Sequence, residues 1–321
     1  MAEAGGEGAG TIRKADFSAV AAFLVAGCSL PVALLRFGVD LSVQDPSRQV
    51  SIFPRAISGH GLEQIPQAVR GAHIHTILEW MTLLSALFFC LLAYARFRLE
   101  RDYALPILGL TLLLIGTLTV SSGWMGSGLM AADVGGEGSM PLIWATTRSL
   151  VAALLVLGVG LATWARGQKR FASSCILLVV FALSLAVVGQ EIFQGLPRSG
   201  TGFKESGIFP SLVEFIGYVP VLVYAAGAIL VFPRYLRARR DALSVAFALA
   251  LIPHLAAALY PIFLPERLLD SGFDIAHALD TVACMIPLGG LLLGYFSTFQ
   301  ELEKKTIRLN DQSEKFKAQA K

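Results

Sequence analysis

The sequence predicts an all-α, polytopic integral membrane protein of about eight transmembrane helices, followed by a C-terminal cytoplasmic coiled-coil helix. Three observations predict it: the composition, the length of the apolar runs, and the placing of positive charge between them. Of 321 residues, 55% are hydrophobic and only 15% charged, with a mean hydropathy of +0.65. A soluble domain carries roughly a quarter charged residues. Folded as soluble domains, this chain would leave large apolar surfaces in water. An ordinary cytosolic enzyme, a disordered chain and a disulfide scaffold are thereby excluded.

Residues 1–16 are polar and read as a flexible cytoplasmic N-terminus. No small-residue cleavage site follows the first apolar run at the usual distance, so that run reads as a retained helix. A membrane-spanning helix needs roughly 20 mostly apolar residues. Eight segments qualify: Phe17–Phe37, His75–Tyr94, Ala104–Trp124, Leu142–Trp164, Ala172–Phe193, Leu212–Phe232, Ala242–Phe263 and Ile275–Phe296. Pro31, Pro220, Pro253 and Pro287 fall inside them. Such prolines are tolerated in lipid where neighbouring helices satisfy the freed backbone groups. The membrane domain therefore runs over 17–298, with 38–74 as a long outer loop whose QIPQAV stretch suits a short surface helix or a lid.

Orientation follows from Lys and Arg in the short loops. The loops after the second, fourth and sixth spans read RFRLERD, RGQKR and RYLRARR. By contrast 126–140 holds no Lys or Arg, and 195–211 holds only Arg198 and Lys204. Both termini are expected in the cytoplasm, and an even number of spans puts them on one side. Cys28, Cys90, Cys175 and Cys284 all lie in apolar runs without metal or redox spacing, and read as small buried hydrophobes.

Ionisable groups inside a membrane are costly, so each is a candidate for function. His75 and Glu79 lie one turn apart on the second span, and Arg148 two turns into the fourth. Gln190 and Glu191 close the fifth, Glu214 opens the sixth, His254 lies mid-way along the seventh, and His277 and Asp280 open the eighth. Nearly all fall in the outer half, and the inner halves are apolar. A pump or channel needs polar groups along the whole crossing. This asymmetry describes a pocket open to the outside and closed to the cytoplasm.

Three readings of that pocket stay open. One is a haem or transition-metal site on His75, His254 and His277, with carboxylates orienting the rings. Another is a small-molecule or lipid site around Arg148. The third is a network of interhelical hydrogen bonds and ion pairs. No H-E-x-x-H, G-x-S-x-G or phosphate loop is present, so no enzyme activity is assigned to this chain. The rival architectures are a transporter or channel, which calls for repeated halves and midplane sites, a membrane metalloenzyme, and a structural subunit.

Past the eighth span, Phe299, Leu302, Thr306, Leu309, Ser313, Phe316 and Ala320 recur at alternating three- and four-residue spacing. That is a heptad seam with charges on the other faces. It predicts a parallel coiled coil over 299–321, pairing two copies. The helix stops in mid-pattern, as expected of the membrane half of a larger protein.

The stretch HTILEWMTLLSALFFCLLAYARFRLERDYALPILGLTLLLIGTLTVSS opens on His75, Thr76, Leu78 and Glu79. PLIWATTRSLVA supplies Trp144, Ala145 and Arg148, and DIAHALDTVACM supplies His277. Together, over roughly 75–300, these segments resemble the bacterial membrane-associated sensor domains of the MASE type, third class. The third span departs from that pattern, ending in SSGWMG where the family often has a histidine. The resemblance implies a sensor preceding a cytoplasmic output domain, such as a histidine kinase, a PAS module or a diguanylate cyclase. The expected function is a sensory and dimerisation module in a bacterial inner membrane. Its expected partners are the lipid bilayer, a second copy and a small-molecule or lipid ligand, with no nucleic acid.

Overall fold

The structure, a computed structural model, describes residues 14–36, 67–131, 140–165, 208–239, 241–263 and 271–319; side chains are described for 18–31, 77–122, 144–165, 215–239, 241–260, 262 and 275–319. Every regular element among them is helical. In chain order these are α1 (Lys14–Arg36), α2 (Gln67–Glu100), α3 (Ala104–Ala131), α4 (Met140–Ala165), α5 (Ile208–Leu230), α6 (Phe232–Ala238), α7 (Ala242–Phe263) and α8 (Ser271–Gln319). Six of the described helical stretches are long and apolar enough to cross a membrane: Ile77–Glu100, Ala104–Ser122, Trp144–Ala165, Phe215–Ala238, Ala242–Tyr260 and Ile275–Gln319. They match the second, third, fourth, sixth, seventh and eighth expected spans. The first expected span falls on α1, a 23-residue helix, in which the stretch with described side chains, Ser18–Pro31, is apolar. The fifth expected span lies outside the described residues.

Several boundaries move from their expected places. The end of the long outer loop is not a separate surface helix: from Gln67 it already belongs to α2. α3 likewise runs on to Ala131, past the apolar run. The sixth span is split. Pro233 lacks the N–H that would bond back to Ile229, so α5 ends at Leu230 and α6 restarts after Val231. The break is mild, since Val231 keeps right-handed helical angles and its carbonyl still accepts from the Tyr235 N–H at 3.0 Å.

Helix neighbours close a ring in the order α2, α3, α4, α5, α7, α8 and back to α2, while α1 lies outside against α7. Tyr260 ties α1 on by donating to the Cys28 carbonyl at 2.9 Å. Inside the ring Phe89, Ile107, Leu108, Leu112, Leu154, Leu155, Phe247 and Leu291 are buried, with Phe89 and Phe247 edge to face at 5.7 Å. In lipid, apolar burial drives helix association only weakly, so close backbone approach and interhelical hydrogen bonds matter more. Gly290 serves the first need: a Cβ there would overlap the Ala246 methyl and come within 3.0 Å of the Ala242 carbonyl. Tyr295 serves the second, donating from α8 to the Leu92 carbonyl of α2 at 2.7 Å.

α8 is the longest element. Its 49 residues span about 74 Å at 1.5 Å each, over twice the roughly 30 Å hydrocarbon thickness. It continues as one helix beyond Thr298, and its residues from Phe299 onward are exposed.

Candidate functional site

All six ring helices contribute to one cavity, lined by Glu79 and Thr82 of α2, Ile115, Thr119 and Ser122 of α3, and Trp144, Thr147, Arg148 and Val151 of α4. Pro220 and Tyr224 of α5, His254 and Ala258 of α7, and His277, Asp280, Thr281 and Cys284 of α8 complete it. Its free volume, ≈ 30 Å³ for the centres of water-sized molecules, is room for roughly two waters. Glu79 precedes Arg96 by 17 residues, so the cavity lies about 25 Å along the bundle from the arginine-rich end.

Asp280 is the hub. Its Oδ2 accepts from Arg148 Nη2 at 3.1 Å, and its Oδ1 lies 3.0 Å from His254 Nδ1. Three helices, α4, α7 and α8, thus meet on one carboxylate. Arg148 is 8% exposed and His254 1%. Charges this far from water persist only when paired and hydrogen-bonded. Arg148 meets that condition three ways. Besides Asp280, its Nη1 donates to the Ala257 carbonyl, and its guanidinium carbon lies 3.8 Å above the Trp144 ring, within cation–π range.

Why that carbonyl is available follows from the sequence. In an α-helix the Ala257 carbonyl would accept from the N–H of residue 261, but residue 261 is proline and has none. Arg148 takes the bond instead. The adjacent Ser149 repeats the arrangement towards α5: its Oγ lies 3.3 Å from the Ile216 carbonyl, which Pro220 leaves unbonded for the same reason. That hydroxyl shares its hydrogen with its own Ala145 carbonyl at 2.8 Å. Two consecutive residues of α4 therefore complete two proline-interrupted helices.

Aromatic and hydroxyl groups fill out the site. Trp144 stacks on His277 with centroids 6.0 Å apart, and Tyr224 on His254 at 5.4 Å. Thr82 and Thr281 meet at 3.0 Å across α2 and α8. Thr281 also donates to its own His277 carbonyl at 3.0 Å.

Of the residues singled out by sequence, Glu79, Trp144, Arg148, His254, His277 and Asp280 line this one cavity. Gln190 and Glu191 lie outside the described residues. His75 and Glu214 are on α2 and α5, but their side chains are outside the described set. Among the described residues no group of three His, Cys, Asp or Glu converges as a metal site. The six cavity residues fit a hydrogen-bonded polar site. Sequence reasoning missed Tyr224, Thr82 and Thr281, although hydroxyls one or two turns from Glu79 and His277 were a readable signal.

A second polar cluster closes the arginine-rich end. Arg239 Nη1 pairs with Asp102 Oδ2 at 2.7 Å, and its Nε with Asp241 Oδ2. Asp241 caps α7: the Ser244 N–H donates to Asp241 Oδ1 at 2.8 Å, and the Asp241 N–H donates to Ser244 Oγ at 3.3 Å, a reciprocal capping box. Burial pushes the Asp241 carboxyl up, but Arg239 and the two bonds to Ser244 outweigh it and hold it below its ordinary range. Arg239 is raised in turn: burial opposes its charge, and Tyr235, Asp241 and Asp102 restore it. The sequence reading took this arginine only as a topological signal.

Comparison of the chain with protein-family models, curated proteins and solved structures finds no match.

Proposed function

We propose that this chain is the membrane-embedded sensory and dimerisation module of a bacterial signal-transduction protein, with eight spans and both termini in the cytoplasm. The observation that carries the reading is the continuity of α8. One helix supplies His277, Asp280 and Thr281 to the cavity and runs on, with Pro287 inside it, as a single element to Gln319. Its exposed end presents Phe299, Leu302, Leu309 and Phe316 at 54–71% exposure, and Thr306 lies on the same seam. Most helical stability in proteins comes from packing an apolar face, and two copies paired along the seam form a coiled coil. A ligand that altered the bonds around Asp280 would shift or rotate α8, and the coiled coil would carry that change to an output domain. A few kcal/mol of differential binding suffices for such a switch.

Cysteine cross-linking in native membranes tests this, with the four native cysteines replaced. Single cysteines at 302, 309 and 316 should link two copies, and cysteines at 304 and 311 should not. Asp280→Asn should change which positions link best. A flat pattern along 299–319, or one indifferent to Asp280→Asn, overturns the reading.

A second reading is favoured by the contacts that hold Arg148. A guanidinium held by a carboxylate, a proline-freed carbonyl and an indole face is what a purely structural staple needs. That reading predicts a loss of stability in Asp280→Asn with an unchanged cross-linking pattern.

A further inference from the structure

We propose that two copies of this chain pair inside the membrane as well as beyond it, through an outward face of α8 made by Gly289, Leu292 and Phe296. The proposal rests on the pairing of the exposed α8 ends given above and extends that contact into the bilayer.

A two-stranded coiled coil is held by two lines of residues, each recurring every seven positions. Followed backwards from the seam, the two lines part company. The line of Phe299 and Thr306 continues through Leu292 and Met285, of which Leu292 is exposed and Met285 half-buried. The line of Leu302 and Leu309 continues through Tyr295, Leu288 and Thr281, and the bundle takes it. Tyr295 and Leu288 pack on the core, Tyr295 donates to the Leu92 carbonyl, and Thr281 is buried against Thr82. One residue over stands a substitute line, Val282, Gly289 and Phe296, and all three face outward. Two copies that turn slightly about the shared line of Leu292 and Phe299 thus keep an apolar contact from the cytoplasm into the membrane.

Reach decides what covers this stripe. Packed helices run about 8–10 Å apart. Leu292 and Gly289 lie seven and ten residues before Phe299 on one helix, about 10 and 15 Å along it. At the roughly 20° crossing of paired helices, 15 Å of further run adds only about 5 Å of sideways separation. Two copies joined at Phe299 are therefore still neighbours at Gly289. Both positions lie on the exit side of Pro287, so a bend at that proline does not enter the geometry.

Gly289 supplies the independent sign. Gly290 and Gly294 are used within the chain: a Cβ on the first overlaps Ala246, and on the second it meets Arg96 Nη1 at 2.5 Å. A Cβ on Gly289 has nothing within 4 Å. An outward glycine on a membrane helix lets another backbone approach closely, and the second copy is the backbone within reach. Asp280 lies nine residues earlier on the same helix, about 13 Å away, so a movement of α8 at the cavity reaches the pair before it leaves the membrane.

The test is oxidative cross-linking in native membranes, with the four native cysteines replaced. Gly289→Cys and Leu292→Cys should link two copies about tenfold faster or more than Leu222→Cys and Ile229→Cys, since a standing pair raises the effective concentration. The two controls are exposed positions on α5. Gly289→Leu should then lower the link yield at 292 by about tenfold, the usual effect of bulk forced into a tight contact. It should leave the melting point of the bundle unchanged, because within one copy the new side chain enters open space. An unchanged yield at 292 overturns the proposal.

Links at 302 and 309, with 289 and 292 no faster than the α5 controls, would mean that lipid covers the stripe; this inference would fall while the coiled coil stood. Links at 289 and 292 without any at 302 and 309 would sustain the membrane pair and overturn the coiled-coil reading. No links at any of the four positions overturns both.

Discussion

The two polar clusters of this molecule are built as opposites. Near one end a guanidinium, Arg239, is held between two carboxylates, Asp102 and Asp241. About 20 Å or more along the bundle, a carboxylate, Asp280, is held between two nitrogen bases, Arg148 and His254. The first is assembled largely from neighbours in sequence, 239–244, and doubles as a helix cap. The second needs three helices that meet only in the folded ring. A cap has one job, whichever way the rest of the bundle shifts. A hub joining three helices depends on their relative positions, so a movement of any one changes its bonds. That difference is why the hub, and not the clasp, is the candidate for sensing.

The comparison breaks first on removal of each cation. Arg148→Leu leaves Asp280 with His254 alone and the Ala257 carbonyl without its donor in the bundle interior, and should cost about 3–5 kcal/mol. Arg239→Leu leaves its carboxylates near the end of the helices, where water can reach them after modest relaxation, and should cost less than half as much. Thermal melting of the two variants in one detergent measures both. Equal losses would remove the distinction between an interior hub and an end clasp.

A second contrast tests the packing that holds the ring shut. Gly290 faces α7, where a Cβ overlaps Ala246, while its neighbour Gly289 has nothing within 4 Å of an added Cβ. Gly290→Ala should destabilise by about 1–3 kcal/mol through overpacking. Gly289→Ala should be neutral or slightly stabilising, since alanine is the better helix former. Similar melting points for the two variants would mean that α7 and α8 do not approach as closely as the structure shows.

The clasp also carries a pH signature. The folded Asp241 carboxyl is held below its ordinary range, so the unfolded chain binds a proton more readily. Its contribution is therefore fully present above the unfolded value near about 3.9, and is lost as pH falls through the lower folded value. Melting of the native chain should weaken below about pH 4. Asp241→Asn should remove that part of the acid sensitivity while keeping the cap, since asparagine caps a helix as well as aspartate, and its cost at neutral pH should come from the lost ion pair with Arg239. Identical acid profiles for the two chains would show that Asp241 does not titrate as a cap.

Much of this was legible in the sequence, and the reasons are specific. Each of the six ring helices carries an apolar run that needs no tertiary information to recognise, and the arginines at one set of ends mark a single side. Glu79, Arg148, His254, His277 and Asp280 stood out because ionisable groups are rare in such runs. The pairings among them were not legible. Arg148 was free to meet Glu79, Glu191 or Glu214 by depth alone, and only the α4–α7–α8 packing selects Asp280. The capping box at Asp241 and Ser244 had a readable three-residue spacing ahead of an apolar run. Its partnership with Asp102 did not, because that contact requires α2 and α3 to turn beside α7.

Proline chemistry gives the finest test, because its effect can be switched off from the other side. Pro261 and Pro220 each free a carbonyl four residues earlier, and Arg148 and Ser149 reach those two carbonyls. The sequence shows which carbonyls are freed and cannot show which side chain arrives. Ser149→Ala should cost little, about 0.6 kcal/mol, the ordinary worth of an interhelical hydrogen bond in lipid. The Ser149 hydrogen is shared with Ala145, which keeps the loss at that low end. Pro220→Ala restores an N–H for the Ile216 carbonyl, so in that background Ser149→Ala should cost nothing measurable. A double-mutant cycle on melting free energies isolates the coupling. If Ser149→Ala costs the same with and without Pro220, the serine is packing against α5 and not completing it, and the account of α4 as the helix that satisfies its broken neighbours would then rest on Arg148 alone.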